Sequence, residues 1–472
     1  MRTGAAQRET TGIIVSLVAV GAAFLAMFDA TVINLAIPAL GEDYTSSSVA
    51  ALTWTITIYA IIFAALLAPA GRAGDVLGCR VTYLGGIGLF TVASVVCAVS
   101  PNLPVLFAGR GLQAVGAAAM VPASLAILLR NSRPEHHAKA IGMWGAASAA
   151  AAAIGPSAGG LLVDSLHWRS LFWINLPIGL ALIWCIRAIP RTGGAGGAWP
   201  DLPGTILLAA GIGAIVLGVG EGPAWHWTDP RTIGSIAAGG LMLTVALRRS
   251  VRHPVPAVET TLWRSHRYVL ANLASFCYGA ALFPWLLVGI LYLTQVWHYD
   301  EFEAGLAQSP GAITAALSAM LAPRLIRKYG PQAAIIAGAL IMAVVVLWIH
   351  FGLTVHPRFL AFWLPTGLLV GVGMGALANG VASAAAMSVH PRQFAGAVGL
   401  NTAARQVGGA LGVAALAAIM SVSAPAVLGD YLNVYLFCGV SALAAAAAGV
   451  AIAARGSAGS SAGGSTTETV QG

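Results

Sequence analysis

Three observations predict an all-α polytopic membrane protein with fourteen transmembrane helices. Of the 472 residues, 58% are hydrophobic and 8% are charged, whereas a soluble domain carries about 25% charged residues. Apolar stretches reach the roughly 20 residues that a helix needs to cross a bilayer. Glycine accounts for 57 residues, and small residues let membrane helices approach closely. These features exclude an ordinary soluble fold.

Fourteen apolar segments follow one another along the chain and define the predicted spans. They lie at 12–38, 51–70, 81–99, 104–129, 138–163, 170–188, 203–220, 232–248, 268–294, 305–325, 332–353, 359–387, 394–420 and 431–454. Spans 5, 9 and 12 are expected to be interrupted, at Gly155-Pro156, Pro284 and Pro365. Membrane helices tolerate such breaks when neighbouring groups satisfy the freed backbone.

The distribution of basic residues predicts the orientation of the spans. With the N-terminus placed inside, nineteen lysines and arginines fall on the inner side, and Arg169, Arg231 and Arg358 fall on the outer side. Because cytoplasmic loops carry an excess of lysine and arginine, both termini are expected in the cytoplasm. The same split supports fourteen spans, because one missed span would invert every later loop.

The long basic segment Arg248–Arg267 separates the first eight spans from the last six. We therefore predict an N-terminal six-helix bundle at 1–190, two additional helices with a basic cytoplasmic linker at 191–260, and a C-terminal six-helix bundle at 261–456. The Gly/Ser/Ala/Thr-rich stretch 457–472 is expected to be a disordered cytoplasmic tail. A basic loop follows the second span of each six-span set, and this shared position weakly indicates an internal repeat.

Asp29 carries the strongest functional signal in the chain. It lies in the first apolar span, and no other aspartate or glutamate lies well inside any span. A carboxylate in the membrane core costs about 2.5–3.5 kcal/mol on insertion scales, so such a residue faces the bundle interior or an aqueous cavity. We interpret Asp29 as a functional residue; the alternative is a carboxylate kept for a structural hydrogen bond.

The residues that follow Asp29 carry a family resemblance. The series comprises Asp29, Thr31, Asn34, Ala36 and Pro38. It resembles the span 1 signature of the fourteen-helix drug/proton antiporters, a branch of the major facilitator superfamily, and the resemblance covers nearly the whole chain. It implies two six-helix bundles that rock around a central cavity and export drugs or antibiotics in exchange for protons, with Asp29 as the switchable charge.

The loop after span 2 is similar to the superfamily motif Gly-x-Leu-Ala-Asp-Arg-x-Gly-Arg-Lys. Its matching residues are Gly71, Asp75, Gly78 and Arg80, while Val76 replaces the middle arginine of the motif. The resemblance implies that these residues form a gate that latches the cytoplasmic ends of the helices. The change at Val76 argues against a salt bridge at the middle position.

Span 4 contains Arg110-Gly111-Leu112-Gln113, which resembles another superfamily motif. Arg110 and Gln113 are three residues apart and therefore share one face of the helix. An arginine at this depth needs an anion or backbone carbonyls as its partner. Because Asp29 is the membrane carboxylate available, we expect Arg110 to pair with it for proton coupling, directly or through water. The alternative is an arginine that bonds carbonyls alone.

Span 5 contains Gly155-Pro156-Ser157-Ala158-Gly159-Gly160, which is similar to the antiporter motif Gly-Pro-x-x-Gly-Gly. Gly155 and Gly159 are four residues apart and present a smooth face to a neighbouring helix. Pro156 removes a backbone donor and kinks the helix. The resemblance implies that this motif, which ends at Gly160, seals the outer half between the two bundles.

Aromatic and amide side chains are the candidates for a substrate cavity. Tyr278, Trp285 and Tyr292 recur every seven residues on span 9 and form one stripe. A drug pocket favours aromatic walls with few polar points, although helix packing or an interfacial belt produces the same pattern. The polar candidates are Gln113, Gln308 and Asn379.

The sequence argues against other classes of function. Basic residues are scattered in short loops, so no nucleic acid partner is expected. No His/Cys/carboxylate cluster has metal spacing and no phosphate-binding lysine motif occurs, so we expect neither a metal site, nor an enzyme, nor an ATP-driven pump. The five cysteines are far apart and are interpreted as free thiols.

We therefore expect a monomeric, multi-pass protein of the plasma membrane that the proton gradient drives without a cofactor. Its expected partners are protons, the lipid bilayer and a small lipophilic substrate. Two alternatives stay open, an exporter of an endogenous metabolite or lipid and a proton-coupled importer. The span 5 motif argues against import, because the resemblance connects it with antiporters.

Overall fold

The computed structural model describes residues 2–45, 49–189, 201–254, 256–258, 260–420 and 427–462. This part of the chain consists of helices and their connections, without strands. The α-helices are α1 (Arg2–Val32), α2 (Ile37–Asp43), α3 (Val49–Leu77), α4 (Cys79–Ala98), α5 (Leu103–Arg130), α6 (His137–Leu166), α7 (Ser170–Trp173), α8 (Asn175–Arg187), α9 (Leu202–Trp225), α10 (Pro230–Arg252), α11 (His266–Gln295), α12 (Glu301–Tyr329), α13 (Pro331–Gly352), α14 (Leu364–Ala386), α15 (Phe394–Met420) and α16 (Leu428–Ala462). A 3-10 turn, Ile33–Ala36, joins α1 to α2, and a π-helical turn, Phe359–Trp363, precedes α14.

Side-chain caps set where several helices begin. Asn102 accepts a hydrogen bond from the backbone N–H of Val105 at the start of α5. Asp201 caps α9 in the same way, and Asp300 with Glu303 forms a complete capping box at the start of α12. Each cap satisfies a backbone donor that the helix itself leaves unpaired. The polar residues between apolar spans therefore define the helix ends.

The chain is an all-helical, multi-pass membrane protein. Twelve of the described helical segments are long and apolar enough to cross a membrane by length and composition. The predicted spans 5 and 10 correspond to α6 and α12, whose 30 and 29 residues also exceed the roughly 20 that a crossing requires. Each of the fourteen predicted spans thus coincides with a helix or with two consecutive helices.

The prolines interrupt the helices less than the sequence predicts. Helices α6 and α11 continue without a break through Pro156 and Pro284. An internal proline removes one backbone donor, and packing of neighbouring helices stabilises the turns on either side of it. Pro365 lies in the first turn of α14, where its missing N–H has no helical partner to lose. The predicted interruptions at Gly155-Pro156 and Pro284 are therefore wrong, whereas span 12 changes from the π-helical turn to α14 at Leu364, next to Pro365.

Two other helix boundaries differ from the sequence prediction. The predicted span 6 is divided at Ile174 into α7 and α8. Helix α16 continues to Ala462, so the first residues of the predicted disordered tail, 457–472, are helical. The helix continues from the run Ala444–Ala448, and extending an existing helix is easier than starting one because each added residue gains a backbone hydrogen bond. Residues 463–472 lie outside the described part of the chain.

Helix contacts group the spans into two bundles. Helices α1, α3, α4, α5, α6 and α8 pack on one another, and so do α11 to α16. The bundles meet where α3 contacts α15 and where α6 contacts α12. In each contact the second span of one bundle, α3 or α12, packs against the fifth span of the other bundle, α15 or α6. The two contacts are therefore equivalent, as expected for an internally repeated transporter.

The two additional helices form a hairpin beside this junction. Helix α9 packs against α10, α3 and α15, through apolar side chains such as Ile212 from the hairpin and Ala64 and Ala403 from the two bundles. An ion pair between Arg249 Nε and Asp201 Oδ1, 2.7 Å apart, closes the base of the hairpin. Residues 190–200 lie outside the described part, so the predicted domain limits there stay predictions.

Loops from several parts of the chain meet on one side of the molecule. Arg130 donates to the backbone oxygen of Pro391 across 3.1 Å, and Arg80 donates to that of Ile186 across 3.2 Å. An ion pair between Arg130 Nη2 and Asp75 Oδ1, 2.8 Å apart, joins these two contacts. The ends of spans 2, 4, 6 and 12 therefore lie together, as alternating crossings require. We call this end of the molecule the basic side.

Candidate functional site

A buried ion pair lies inside the N-terminal bundle. Arg110 Nη1 contacts Asp29 Oδ2 across 2.7 Å, and the side chains of Arg110 and Asp29 are 1% and 2% exposed. A pair removed from water is stable only when further hydrogen bonds satisfy its remaining donors and acceptors. The structure thus brings together the two residues that the sequence predicts as partners, in direct contact.

Amide and hydroxyl side chains complete the surroundings of the Asp29 carboxylate. Asn175 Nδ2 and Gln113 Nε2 donate to Asp29 Oδ1 across 3.0 and 3.3 Å. Gln113 Oε1 accepts from Arg110 Nη1 at 2.8 Å. Ser94 Oγ accepts from Gln113 at 2.8 Å and from Asn175 at 3.3 Å. Spans 1, 3, 4 and 6 therefore share one hydrogen-bond network.

The guanidinium of Arg110 has neutral partners as well. Its Nε donates to the backbone oxygen of Thr55 across 3.2 Å, and its Cζ lies 4.3 Å from the centre of the Tyr59 ring. Both partner types considered from the sequence, an anion and a backbone carbonyl, are therefore present. Arg110 Nη2 and Asn175 Oδ1 are buried without a partner in the described part of the chain. Thr55 Oγ1 also lacks a partner there, so a guanidinium nitrogen, an amide oxygen and a hydroxyl are left unsatisfied at this site.

Sequence reasoning missed four members of this network, Ser94, Asn175, Thr55 and Tyr59. Asn175 is fully buried at the first residue of α8, directly after the break at Ile174. Asn175 could have been identified from the sequence as an amide inside an otherwise apolar span, because such a group must find hydrogen-bond partners within the protein. Thr55 could not be found this way, since it contributes a backbone oxygen.

The span 5 motif packs on the span 1 signature. A Cβ at Gly155 would overlap Thr31 Oγ1, and this hydroxyl donates to the backbone oxygens of Met27 and Phe28 across 3.1 and 3.0 Å. Gly159 is buried, whereas a Cβ at Gly160 would meet open space among the described residues. Among the predicted site residues, the side chains of Asn34, Pro38 and Pro156 lie outside the described part.

Asp75 connects the two bundles on the basic side. Its carboxylate accepts from the backbone N–H groups of Ala395 and Gly396, across 3.1 and 2.7 Å, and pairs with Arg130 Nη2 at 2.8 Å. The first turn of a helix, here α15, offers free N–H groups and the positive end of the helix dipole to an anion. A Cβ at Gly71 would overlap the backbone oxygen of Ala395. The bundles are therefore in close contact on the basic side.

The remaining loop residues of this motif shape the turn between α3 and α4. Gly78 has φ of 101°, a conformation that glycine adopts readily and other residues avoid. Arg80 donates from Nη2 to the backbone oxygen of Arg187 at 3.1 Å. These two residues position the loop against span 6 and do not contact the second bundle through any described hydrogen bond.

The polar cavity candidates outside span 4 serve helix packing. Asn379 Nδ2 donates to the backbone oxygen of Ala319 across 2.8 Å, which ties α14 to α12. Gln308 Nε2 donates to the backbone oxygen of Leu286 across 2.9 Å, which ties α12 to α11. Gln113 lies in the Asp29 network and is fully buried. All three side chains have protein partners in this arrangement.

The aromatic stripe on α11 divides into two parts. Trp285 packs edge-on against Tyr435, with ring centres 4.8 Å apart, and Tyr292 stacks on Trp363 at 5.9 Å while its hydroxyl donates to the backbone oxygen of Thr354. For Trp285 and Tyr292 the structure therefore agrees with helix packing, the alternative to a cavity wall. Tyr278 is also buried, yet its hydroxyl forms no hydrogen bond with a described residue.

Two packed six-span bundles with a buried carboxylate–guanidinium pair define a multi-pass membrane transporter. The chain belongs to the Major Facilitator Superfamily, whose family model matches residues 19–413 and 268–463. The prediction of this superfamily is therefore confirmed.

Relatives of the chain include drug and antibiotic resistance proteins. The multidrug resistance protein Stp of Mycobacterium tuberculosis (strain CDC 1551 / Oshkosh) is 33% identical over 402 residues, which cover 81% of this chain and 71% of Stp. The puromycin resistance protein pur8 of Streptomyces alboniger is 31% identical over 433 residues, covering 90% and 84%. Among solved structures, the proton:xylose symporter XylE has a TM-score of 0.65 at 14% identity, covering 93% and 95%, which supports the fold.

Proposed function

We propose that the protein is a proton-coupled antiporter that exports lipophilic small molecules, drugs or antibiotics, across the plasma membrane by alternating access. The observation that carries the proposal is the Asp29 carboxylate, which is buried between bundle helices against Arg110. A titratable acid at this depth marks a proton pathway in many transporters. The resistance functions named for the two relatives support drug export.

Protonation of Asp29 would change the contacts among four spans at once. The ionised carboxylate accepts from Arg110, Gln113 and Asn175. A neutral carboxylic acid attracts the guanidinium less and needs an acceptor for its own proton. The arrangement of span 1 against spans 4 and 6 therefore differs in free energy between the two protonation states, which is the requirement for a proton to shift a conformational equilibrium.

The proposal assigns the basic side to the cytoplasm, in agreement with the excess of basic residues there. The Asp75 contacts with Ala395 and Gly396 would then form a cytoplasmic gate that is closed in this arrangement. Protonation from outside would favour release of the substrate, and deprotonation to the inside would favour loading. The protein would act as a monomer and without a cofactor.

The proposal is tested with purified protein reconstituted in proteoliposomes that carry a pH gradient. Uptake of a fluorescent monovalent lipophilic cation such as ethidium is compared among the wild type, Asp29→Asn and Arg110→Lys. Asp29→Asn is expected to insert and fold but to lose proton-driven accumulation, because it cannot ionise. Arg110→Lys is expected to impair transport, since lysine lacks the planar set of donors that reaches Asp29, Gln113 and Thr55.

The matched control is Asp430→Asn. Asp430 is also buried, but it caps the start of α16 by accepting from the backbone N–H of Val427 across 2.9 Å and lies outside the Asp29 network. This variant should keep proton-driven accumulation. Near-normal accumulation by Asp29→Asn would overturn the proposed function.

A further inference from the structure

A second arginine lies within the membrane-spanning part of the protein. Arg405 is half-buried near the middle of α15, eleven residues after Phe394, which corresponds to about 16 Å along the helix axis. In the described part of the chain no carboxylate pairs with it, and the titratable group that interacts with it electrostatically is the Tyr278 hydroxyl. A charged side chain at this depth is expected to have a partner.

The Tyr278 hydroxyl is a second hydrogen-bond donor at the same place. Its side chain is 4% exposed, and its hydroxyl has no hydrogen-bond partner among the described residues. A Cβ at the neighbouring Gly279 would overlap the backbone oxygen of Arg405, so α11 and α15 touch at this level. Both the guanidinium and the phenolic hydroxyl can donate to an anion, so the two side chains together can hold one acidic group.

The missing group is an anion. Arginine has five N–H donors and no acceptor, and its planar guanidinium matches a carboxylate or a related oxyanion with two parallel hydrogen bonds. A lipid headgroup is the less favourable source, because Arg405 lies about 16 Å along α15 from its end, close to the middle of a hydrocarbon core about 30 Å thick. A lipophilic molecule that carries an acidic group can reach this depth from a central cavity.

We propose that Arg405 and Tyr278 form a binding site for the acidic group of a substrate, a carboxylate or sulfonate on a lipophilic body. The inference rests on the proposed export function and names one class of its substrates. It also agrees with the charge balance of antiport. A proton that enters while a monovalent anion leaves moves two charges in the direction that an interior-negative membrane potential favours.

Two probes with one skeleton test the site. 8-Anilino-1-naphthalenesulfonate and N-phenyl-1-naphthylamine differ by the sulfonate, and their binding to the detergent-solubilised full chain is measured by equilibrium dialysis against protein-free micelles. Arg405→Gln should weaken binding of the sulfonate at least about tenfold, because hydrogen bonds to charged groups are lost, and should change binding of the neutral probe less than about twofold. Tyr278→Phe should weaken the sulfonate about fivefold.

Further variants separate this inference from a structural role for Arg405. Arg405→Lys keeps the positive charge and should retain part of the selectivity for the sulfonate. Equal loss of both probes in Arg405→Gln, or no loss of the sulfonate, would overturn the proposal, as would displacement of the sulfonate by phosphatidylglycerol, which would assign the site to a lipid headgroup. The binding measurement needs no proton gradient. Its result is therefore independent of the transport test with Asp29→Asn, and a failure of one proposal can be told apart from a failure of the other.

Discussion

The side-chain amide of Asn175 donates to Asp29 Oδ1 across 3.0 Å, which places the start of α8 directly on the carboxylate of span 1. The amide oxygen of Asn175 has no partner among the described residues. An amide can donate to a carboxylate and, after rotation, accept from a carboxylic acid. Asn175 is therefore suited to position Asp29 in both protonation states.

Replacing Asn175 by alanine should impair proton-driven transport. The variant loses the donor that connects the start of α8 with the Asp29 carboxylate, and a hydrogen bond to a charged group contributes about 1.5–3 kcal/mol. Proton-driven accumulation is expected to fall about tenfold or more, because Asp29 is no longer held in position. The measurement is ethidium accumulation in proteoliposomes that carry a pH gradient.

Asn272→Ala is the matched control for this prediction. Asn272 is buried in the second bundle and donates to the backbone oxygen of Tyr268 across 2.9 Å, so its loss should leave proton-driven accumulation near the wild-type value. If Asn175→Ala and Asn272→Ala lower accumulation by the same factor, the Asn175 side chain serves packing and does not position Asp29.

The sequence predicted the ion pair because few residues could form it. Asp29 is the carboxylate well inside a predicted span, and Arg110 needs an anion at a similar depth. The rest of the network depends on how the helices rotate about their axes. That rotation decides that Asn175 and Ser94 face inward, and it is set by packing among helices that are apolar on nearly all sides, where hydrophobic periodicity carries little information.

The contact between Gly155 and Thr31 predicts different effects for two glycines of one motif. Gly155→Ala would place a Cβ on Thr31 Oγ1, while Gly160→Ala would extend into open space. Overpacking of a close contact typically costs about 1–3 kcal/mol. The melting temperature of the purified protein should therefore fall in Gly155→Ala and stay near the wild-type value in Gly160→Ala. Equal melting temperatures in the two variants would contradict the contact.

The aromatic stripe on α11 shows a second feature that residue spacing alone cannot predict. Spacing of seven residues placed Tyr278, Trp285 and Tyr292 on one face of a helix, and this is correct. Spacing alone does not say what the face meets, and Trp285 and Tyr292 meet other aromatic rings of the same bundle. The partner helices come from segments about 70 to 150 residues later, so long-range packing decides between a cavity wall and a core.

A cluster on the side opposite the basic loops predicts pH-dependent stability. Asp43 accepts from Arg169 Nη1 and from Trp168 Nε1, across 2.5 and 3.0 Å. Partial burial acts to raise the pKa of Asp43, but the hydrogen bonds from Arg169 and Trp168 outweigh it and hold this pKa below its usual 3.8. The lowered pKa stabilises the folded protein above pH 3.8, and this contribution is lost as the pH falls through the lowered value.

Thermal unfolding of the wild type and Asp43→Asn between pH 7 and pH 3 measures this contribution. The wild type should be more stable at neutral pH, by at most about 1 kcal/mol for a partly exposed pair. The difference should shrink below pH 3.8. A difference that stays constant over this range would mean that the charge of Asp43 is not responsible.

The proposed orientation predicts which loops a membrane-impermeant thiol reagent reaches in intact cells. Asp300 and Glu303 begin α12 on the side opposite the basic loops and are exposed, whereas Arg264 is exposed on the basic side. In a cysteine-free background, Glu303→Cys should react from outside and Arg264→Cys should react only after the cells are opened. Labelling of Arg264→Cys in intact cells would reverse the proposed topology.

The charge of the substrate decides how far one proton can drive its export. With Asp29 as the titrating carboxylate well inside the membrane, one proton per cycle is the simplest stoichiometry. Exchange of one proton for a monovalent cation moves no net charge, so a pH gradient alone drives it. Exchange for a dication moves one positive charge outward, which costs roughly 2.3 kcal/mol per 100 mV, while a one-unit pH gradient returns about 1.4 kcal/mol.

Dications should therefore be poor substrates, and neutral or monovalent lipophiles should be good ones. The test compares a bis-quaternary cation with its monovalent analogue in vesicles that carry both a pH gradient and a membrane potential. The monovalent compound should be accumulated against its gradient, and the dication should not. Comparable uphill transport of both would require more than one proton per cycle. Glu221, half-buried near the end of α9, would then be the next carboxylate to replace, since its loss should abolish dication transport alone.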